Sequence, residues 1–146
     1  MWNRGAEVSR GNRACFNTPN DKIVQEIAGQ TDGVWGMPAF WNNTLYIWGA
    51  GNNLRAYTLS GGLLSTTATA LGAQSSLYPG PTPSVSSNGN SNGIVWAVQT
   101  DGYNAGSAAI LRAYNAANIA TQLYASDQNA ARDTAGGCRT APEGHR

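Results

Sequence analysis

Charge is what this chain has least of. Only 12% of its 146 residues are Asp, Glu, Lys or Arg, and nine cationic against eight acidic side chains leave a formal charge of +1. That balance sets up no global field to draw in nucleic acid or an anionic membrane surface, so neither is expected as a partner. Arg4, Arg10 and Arg13 do gather near the start, where a short basic arm reads as a solvated terminus. Cysteine is nearly absent too. Cys15 and Cys138 lie near opposite ends, too few for a disulfide framework, and free thiols are the default. No apolar run approaches the ~20 residues needed to cross a bilayer. Met1-Trp2-Asn3-Arg4 lacks the apolar core of a signal peptide, so the chain as encoded is expected in the cytoplasm. Lys, Glu and Met are scarce while Gly, Ser, Thr and Asn abound, a composition that suits strands and tight turns and disfavours helices.

What is present is a repeat. Leu54-Arg55-Ala56-Tyr57 returns as Leu111-Arg112-Ala113-Tyr114, and a period on this scale marks a supersecondary unit used more than once. The flanks repeat in the same order. Gly36-Met37-Pro38-Ala39-Phe40, the polar break Asn42-Asn43-Thr44 and the apolar run Leu45-Tyr46-Ile47-Trp48 precede the first copy. Pro81-Thr82-Pro83-Ser84-Val85, a longer break from Asn88 to Gly93 and Ile94-Val95-Trp96-Ala97-Val98 precede the second. Leu63 to Leu71 and Ile119 to Tyr124 come after the copies, beyond turn-rich gaps. Each unit therefore reads as four short antiparallel strands joined by hairpins, with the repeated tetrapeptide on the third. Differences in loop length are tolerated at small entropic cost.

These units set the expected organisation. Residues 1–33 form an irregular N-terminus ending in a remnant strand, Asp21 to Ile27; residues 34–79 and 80–137 are the two units; 138–146 are an appended tail without strand alternation. Asn88-Gly89 and Asn92-Gly93 are turn signals, because both residue types accept positive φ. Asp127 to Asp133 fits a helical turn or a loop equally well. Trp35, Phe40, Trp41, Tyr46 and Trp48 fall in and beside the first two strands of the first unit, where aromatics of this size fill the space between packed sheets.

These residues resemble the quinoprotein-like β-propellers of bacteria, whose repeats are of the pyrroloquinoline-quinone type. Leu111-Arg112-Ala113-Tyr114-Asn115-Ala116-Ala117-Asn118 and then Leu123-Tyr124 match the third and fourth strands of such a blade, and Leu54 to Gly62 matches it more loosely. Gly33 to Trp41 and Tyr78 to Ser86 look like the starts of blades, and the resemblance covers about residues 21 to 137. It implies an all-β fold of four-stranded antiparallel blades, here two complete blades plus remnants. Such rings close with about seven or eight blades, so the chain reads as a truncated piece of a larger propeller. Two blades alone leave aromatic faces and strand edges uncovered. The expected partner is the chain itself, in a homo-oligomer of two, three or four copies that closes the ring and exchanges terminal strands.

The resemblance also implies what a quinone site needs: an adjacent Cys-Cys pair, a stacking Trp and acidic Ca²⁺ ligands. No Cys-Cys pair occurs, so the quinone is not expected as a cofactor and the repeat is architecture. No G-x-S-x-G elbow is present either. The catalytic candidates are Asp101, Asp133 and His145. Metal-ligand candidates are His145, Glu143, Cys138 and Asp127, with Asp32 and Asn104 as further loop residues. One chain lacks zinc ligands at familiar spacing, but a symmetric assembly turns one ligand per chain into a ring. Trp41, Trp48, Arg55 and Arg112 are the ligand-binding candidates, the two arginines either lining a solvated face or ringing an anion channel. The first functional expectation is a self-assembling propeller fragment with a binding or structural role. The alternative is a promiscuous hydrolase of esters or phosphotriesters, whose inter-chain site holds a divalent metal such as zinc to activate water. A carbohydrate- or peptide-binding surface is a third reading of the many Trp and Tyr residues.

Overall fold

A computed structural model describes residues 23–102 and 105–133. Among them the chain forms two antiparallel sheets and one short helix. The first sheet contains β1 (Ala39–Trp41), β2 (Thr44–Ile47), β3 (Asn52–Ser60), β4 (Leu63–Leu64) and β5 (Ala70–Ser76). The second contains β6 (Ser84–Asn88), β7 (Ser91–Gln99), β8 (Ile110–Asn115) and β9 (Gln122–Ala125) in simple meander order. A 3-10 turn over Ser126–Asn129 leads into α1 (Ala130–Asp133). The repeated tetrapeptide lies on the third strand of each sheet, within β3 and β8.

Turn chemistry accounts for the hairpins. Asn42 and Asn43 both take positive φ (46 and 58) in the two-residue link between β1 and β2, the combination that matches the twist of a hairpin. Gly61 and Gly62 (φ 59 and 82) do the same between β3 and β4. That second hairpin corrects the expected fourth strand at Leu63 to Leu71. After the glycine turn only Leu63 and Leu64 pair with the end of β3, and the chain then crosses to a fresh strand, β5, against the earlier part of β3. The expected remnant strand is corrected as well. Over its described part, Ile23 to Ile27, no ladder forms. Gln25 substitutes for one: its side-chain Nε2 donates to the Leu64 carbonyl at 2.7 Å and its Oε1 accepts from the Leu64 N–H at 2.8 Å. A side-chain amide thus satisfies a sheet edge that a backbone would otherwise pair.

The sheets pack through faces of opposite parity. From the first sheet come Tyr46, Trp48, Leu54 and Ala56; from the second come Val95, Ala97, Tyr114 and Ala116, with Ile119. Trp48 meets Tyr114 edge-on, with ring centroids 5.9 Å apart and planes at 70°, a favoured geometry for aromatic pairs. Tyr46 crosses the same seam and its hydroxyl donates to the Ala116 carbonyl at 2.7 Å. The other face of the first sheet, Leu45, Ile47, Tyr57 and Leu59, is covered by Ile27, Leu64 and Ala68.

Three buried tyrosines then divide by what their hydroxyls touch. Burial pushes all three phenols above their ordinary pKa, so each is a neutral O–H at physiological pH. Tyr46 Oη has its carbonyl, whereas Tyr57 Oη and Tyr114 Oη, at equivalent repeat positions, have no partner among the described residues. Tyr46→Phe orphans the Ala116 carbonyl and should cost about 1–3 kcal/mol, while Tyr114→Phe removes an unsatisfied group and should be neutral or stabilising. Urea unfolding with unchanged m-value distinguishes the two outcomes.

Candidate functional site

The repeated arginines sit at the centre of two polar chains. Arg55 Nη2 donates to Asn52 Oδ1 at 2.8 Å, and Asn52 Nδ2 donates to Asp32 Oδ2 at 2.8 Å. The first sheet is thereby tied to the segment before it, where the Ala50 N–H also donates to the Gly33 carbonyl at 2.9 Å. Arg112 Nε donates to Gln99 Oε1 at 2.7 Å, and Gln99 Nε2 reaches both Asp101 Oδ2 (3.1 Å) and the Ser75 carbonyl (3.2 Å). The second sheet is thereby tied to the end of β5. Arg112 is only 7% exposed, which corrects the expectation that it lines a solvated face, because its guanidinium is enclosed within the chain. Asp127 lies 3.8 Å from Arg112 Nη2 with its own side chain half exposed, a weak ion pair.

Trp48 is corrected in the same way. It is 1% exposed and its Nε1 donates to the Asn52 carbonyl at 2.8 Å, so it belongs to the inter-sheet core and offers no binding surface. Trp41, half-buried at the end of β1, does reach an open site. Its Nε1 donates to the Gly89 carbonyl at 2.8 Å, joining the β1–β2 turn to the β6–β7 turn. Two clefts share this indole as a wall. One, of ≈ 430 Å³, is lined by Thr44, Thr58, Thr69 and Asn118 among others; the second, of ≈ 460 Å³, by Asn90, Asn92, Asn115 and Leu123. Asn42 borders both. Asn42 and Asn90 escaped sequence reasoning because turn chemistry accounts for them, while Asn92, expected in a turn, lies at the start of β7 and Asn115 ends β8; the available signal was an asparagine at the first hairpin of each unit. A second exposed aromatic feature is the edge-on pair Trp35–Tyr78, with centroids 5.5 Å apart and each ring 68% exposed.

The carboxylate candidates do not converge. Asp101 accepts from the Leu77 N–H at 2.8 Å, and Asp133 accepts from Tyr124 Oη at 2.8 Å and from two guanidinium nitrogens of Arg132 at 2.6 and 2.7 Å. Arg132, then Tyr124, holds the Asp133 carboxyl at about 2. Among the described residues no three His, Cys, Asp or Glu side chains come together as a metal-binding group. Cys138, Glu143, His145 and Asn104 lie outside the described residues. Comparison of the chain with protein families, with curated proteins and with solved structures finds no match.

Asp101 generates a pH prediction. Burial opposes its ionisation, but the hydrogen bonds from the Leu77 N–H and from Gln99 outweigh that, and its pKa falls below the ordinary 3.8. A carboxyl whose folded pKa is depressed stabilises the fold above its unfolded pKa and loses that contribution as pH drops through the folded value. Asp101→Asn should therefore lower stability at neutral pH and flatten its decline below pH 3.8. Urea midpoints of both proteins across the acid range check this; parallel acid declines would contradict it.

Proposed function

We propose that this chain is a self-associating binding and structural module of propeller-blade type, in which the outer face of its second sheet takes up a sheet from another copy. One observation carries the reading. Tyr46 pairs with Ala56 across β2 and β3, and Trp96 pairs with Ala113 across β7 and β8. By register, Trp96, Val98, Leu111 and Ala113 on the outer face are thus the repeat equivalents of Tyr46, Trp48, Leu54 and Ala56, the face on which the second sheet itself sits; Ala113 is already buried within its own sheet and Trp96 and Leu111 are half-buried, so Val98 is the most open point of this face. Val98 is 47% exposed, where its counterpart Trp48 is 1% exposed.

The complementary surface is Val95, Ala97 and Tyr114, whose counterparts Leu45, Ile47 and Tyr57 lie on the far face of the first sheet. Head-to-tail contacts between such faces close into rings when the rotation allows. In the single chain, Ile27 covers that far face, leaving a cavity of only ≈ 20 Å³ beneath it. Another copy must displace this cover, as in an exchange of terminal segments. Phe40, 54% exposed on the strand beside Leu45, supplies further apolar surface. The metal-dependent hydrolase alternative draws no support from the described residues, because Asp101 and Asp133 are engaged in structural hydrogen bonds.

Light scattering coupled to size exclusion tests the proposal. The wild-type mass should rise with concentration, and Val98→Asp, which places a charge on the docking face, should weaken association on the order of 100-fold or more without lowering the melting temperature. A monomer at every concentration, or an equally associated Val98→Asp variant, would overturn it.

A further inference from the structure

The two clefts beside Trp41 contain no charged side chain among their lining residues. We propose that they form a binding site for a neutral oligosaccharide, with Trp41 as the aromatic wall and Asn42, Asn90 and Asn92, at and beside the first hairpins, as its hydrogen-bonding groups. The site centres on the first hairpins of both sheets, and only Ile94 and Asn115 at the rim of its second cleft share the outer face with Trp96, so sugar binding is read separately from self-association.

The wall is built to stay in place. The Trp41 N–H is already used on Gly89, so the ring presents π surface and C–H edges to a ligand. Its edge lies over Gly93, where an added Cβ would stand 2.7 Å from Trp41 Cη2 and 2.9 Å from Ala116 Cβ. Only glycine leaves room for the ring there. An aromatic group held in this way loses little freedom on binding, which keeps the entropic cost of recognition low.

The polar groups are equally placed and unused. Asn42, Asn90 and Asn92 are exposed, and their side-chain amides have no hydrogen-bond partner within the chain among the described residues. Asn42 and Asn92 stand at φ 46 and 54, positions where glycine would relieve backbone strain at no steric cost. An amide there adds one acceptor and two donors. Vicinal sugar hydroxyls are likewise donors and acceptors at once, and the C–H face of a pyranose is apolar, the surface an indole contacts best. Ile94 and Leu123 extend the apolar part of the second cleft. A charged ligand would find no counter-ion here, and its desolvation would go uncompensated. Both cleft volumes, ≈ 430 and ≈ 460 Å³, fall in the range of about 300–1,000 Å³ usual for ligand sites.

Isothermal titration with cellohexaose, maltohexaose, xylohexaose and laminarihexaose, each to about 10 mM, tests the site, with heparin and a proline-rich peptide alongside. At least one neutral hexasaccharide should bind saturably and change tryptophan fluorescence. Trp41→Ala should abolish this binding. Because Trp41 also tethers two turns, Asn90→Ala provides the second arm: an exposed side chain without intramolecular bonds, whose loss should weaken binding about three- to tenfold at unchanged melting temperature. The proposal is overturned if no neutral hexasaccharide saturates, if Asn90→Ala binds as tightly as wild type, or if heparin or the peptide binds more tightly than any of the sugars.

Discussion

The seam between the two sheets is the constraint on which the rest of the structure depends. Tyr46, Trp48 and Leu54 from one side meet Val95 and Tyr114 from the other, all of them essentially excluded from solvent. A two-layer fold must bury one face of each sheet against the other, and the layer thickness is then set by interdigitated side chains. Trp48 and Tyr114 fill that layer edge-on. The hydroxyl of Tyr46 spans it to reach the Ala116 carbonyl in the opposite sheet. Register is fixed by the same requirement, because a one-residue slip in β7 would turn Val95 and Ala97 outward and bring Trp96 and Val98 in.

The seam also explains why one tetrapeptide has two environments. In each copy Leu and Ala point one way along the strand while Arg and Tyr point the other. Tyr114 therefore enters the seam, while its counterpart Tyr57 lies under Ile27. Arg112 is buried and anchored through Gln99, whereas Arg55 is half-buried and anchored through Asn52 to Asp32. The motif specifies a direction: its tyrosine faces the layer on the N-terminal side of the sheet, and its leucine faces the layer on the C-terminal side. Leu54 meets the second sheet in this way. Leu111 is left facing outward, and that asymmetry is the physical basis of the self-association proposal.

Much of this architecture was legible in the sequence. The two tetrapeptides fall on third strands, Asn88-Gly89 marks the turn after β6, and the aromatics of β2 fill an inter-sheet space, whereas Asn92-Gly93, expected as a turn, lies within β7. The missed features share one cause. Which tryptophan is buried depends on the partner each strand face meets, and strand alternation alone separated neither Trp48 from Trp41 nor Arg112 from Arg55. The split of the expected fourth strand into β4 and β5 came from two consecutive glycines whose turn was tighter than a hydrophobic run suggested. Gln25 read as a strand residue from the pattern of its neighbours, yet it is its side chain that makes the sheet contacts. The Trp41 site was half legible: the tryptophan was a candidate from composition, but the convergence of Asn42, Asn90 and Asn92 required two hairpins to be neighbours in space.

A chain with so little charge relies on apolar faces and amide-rich turns to interact with anything. The outer face of the second sheet is the largest consequence of that composition, and whether it docks another copy can be read at one atom position. In protein labelled with 5-fluorotryptophan, with the Trp96 signal assigned by Trp96→Phe, ¹⁹F NMR across rising concentration reports on that face directly. The account predicts that the Trp96 resonance shifts and broadens with concentration while that of Trp48, already sealed in the seam, stays fixed. A Trp96 resonance that does not change while the protein associates would contradict it.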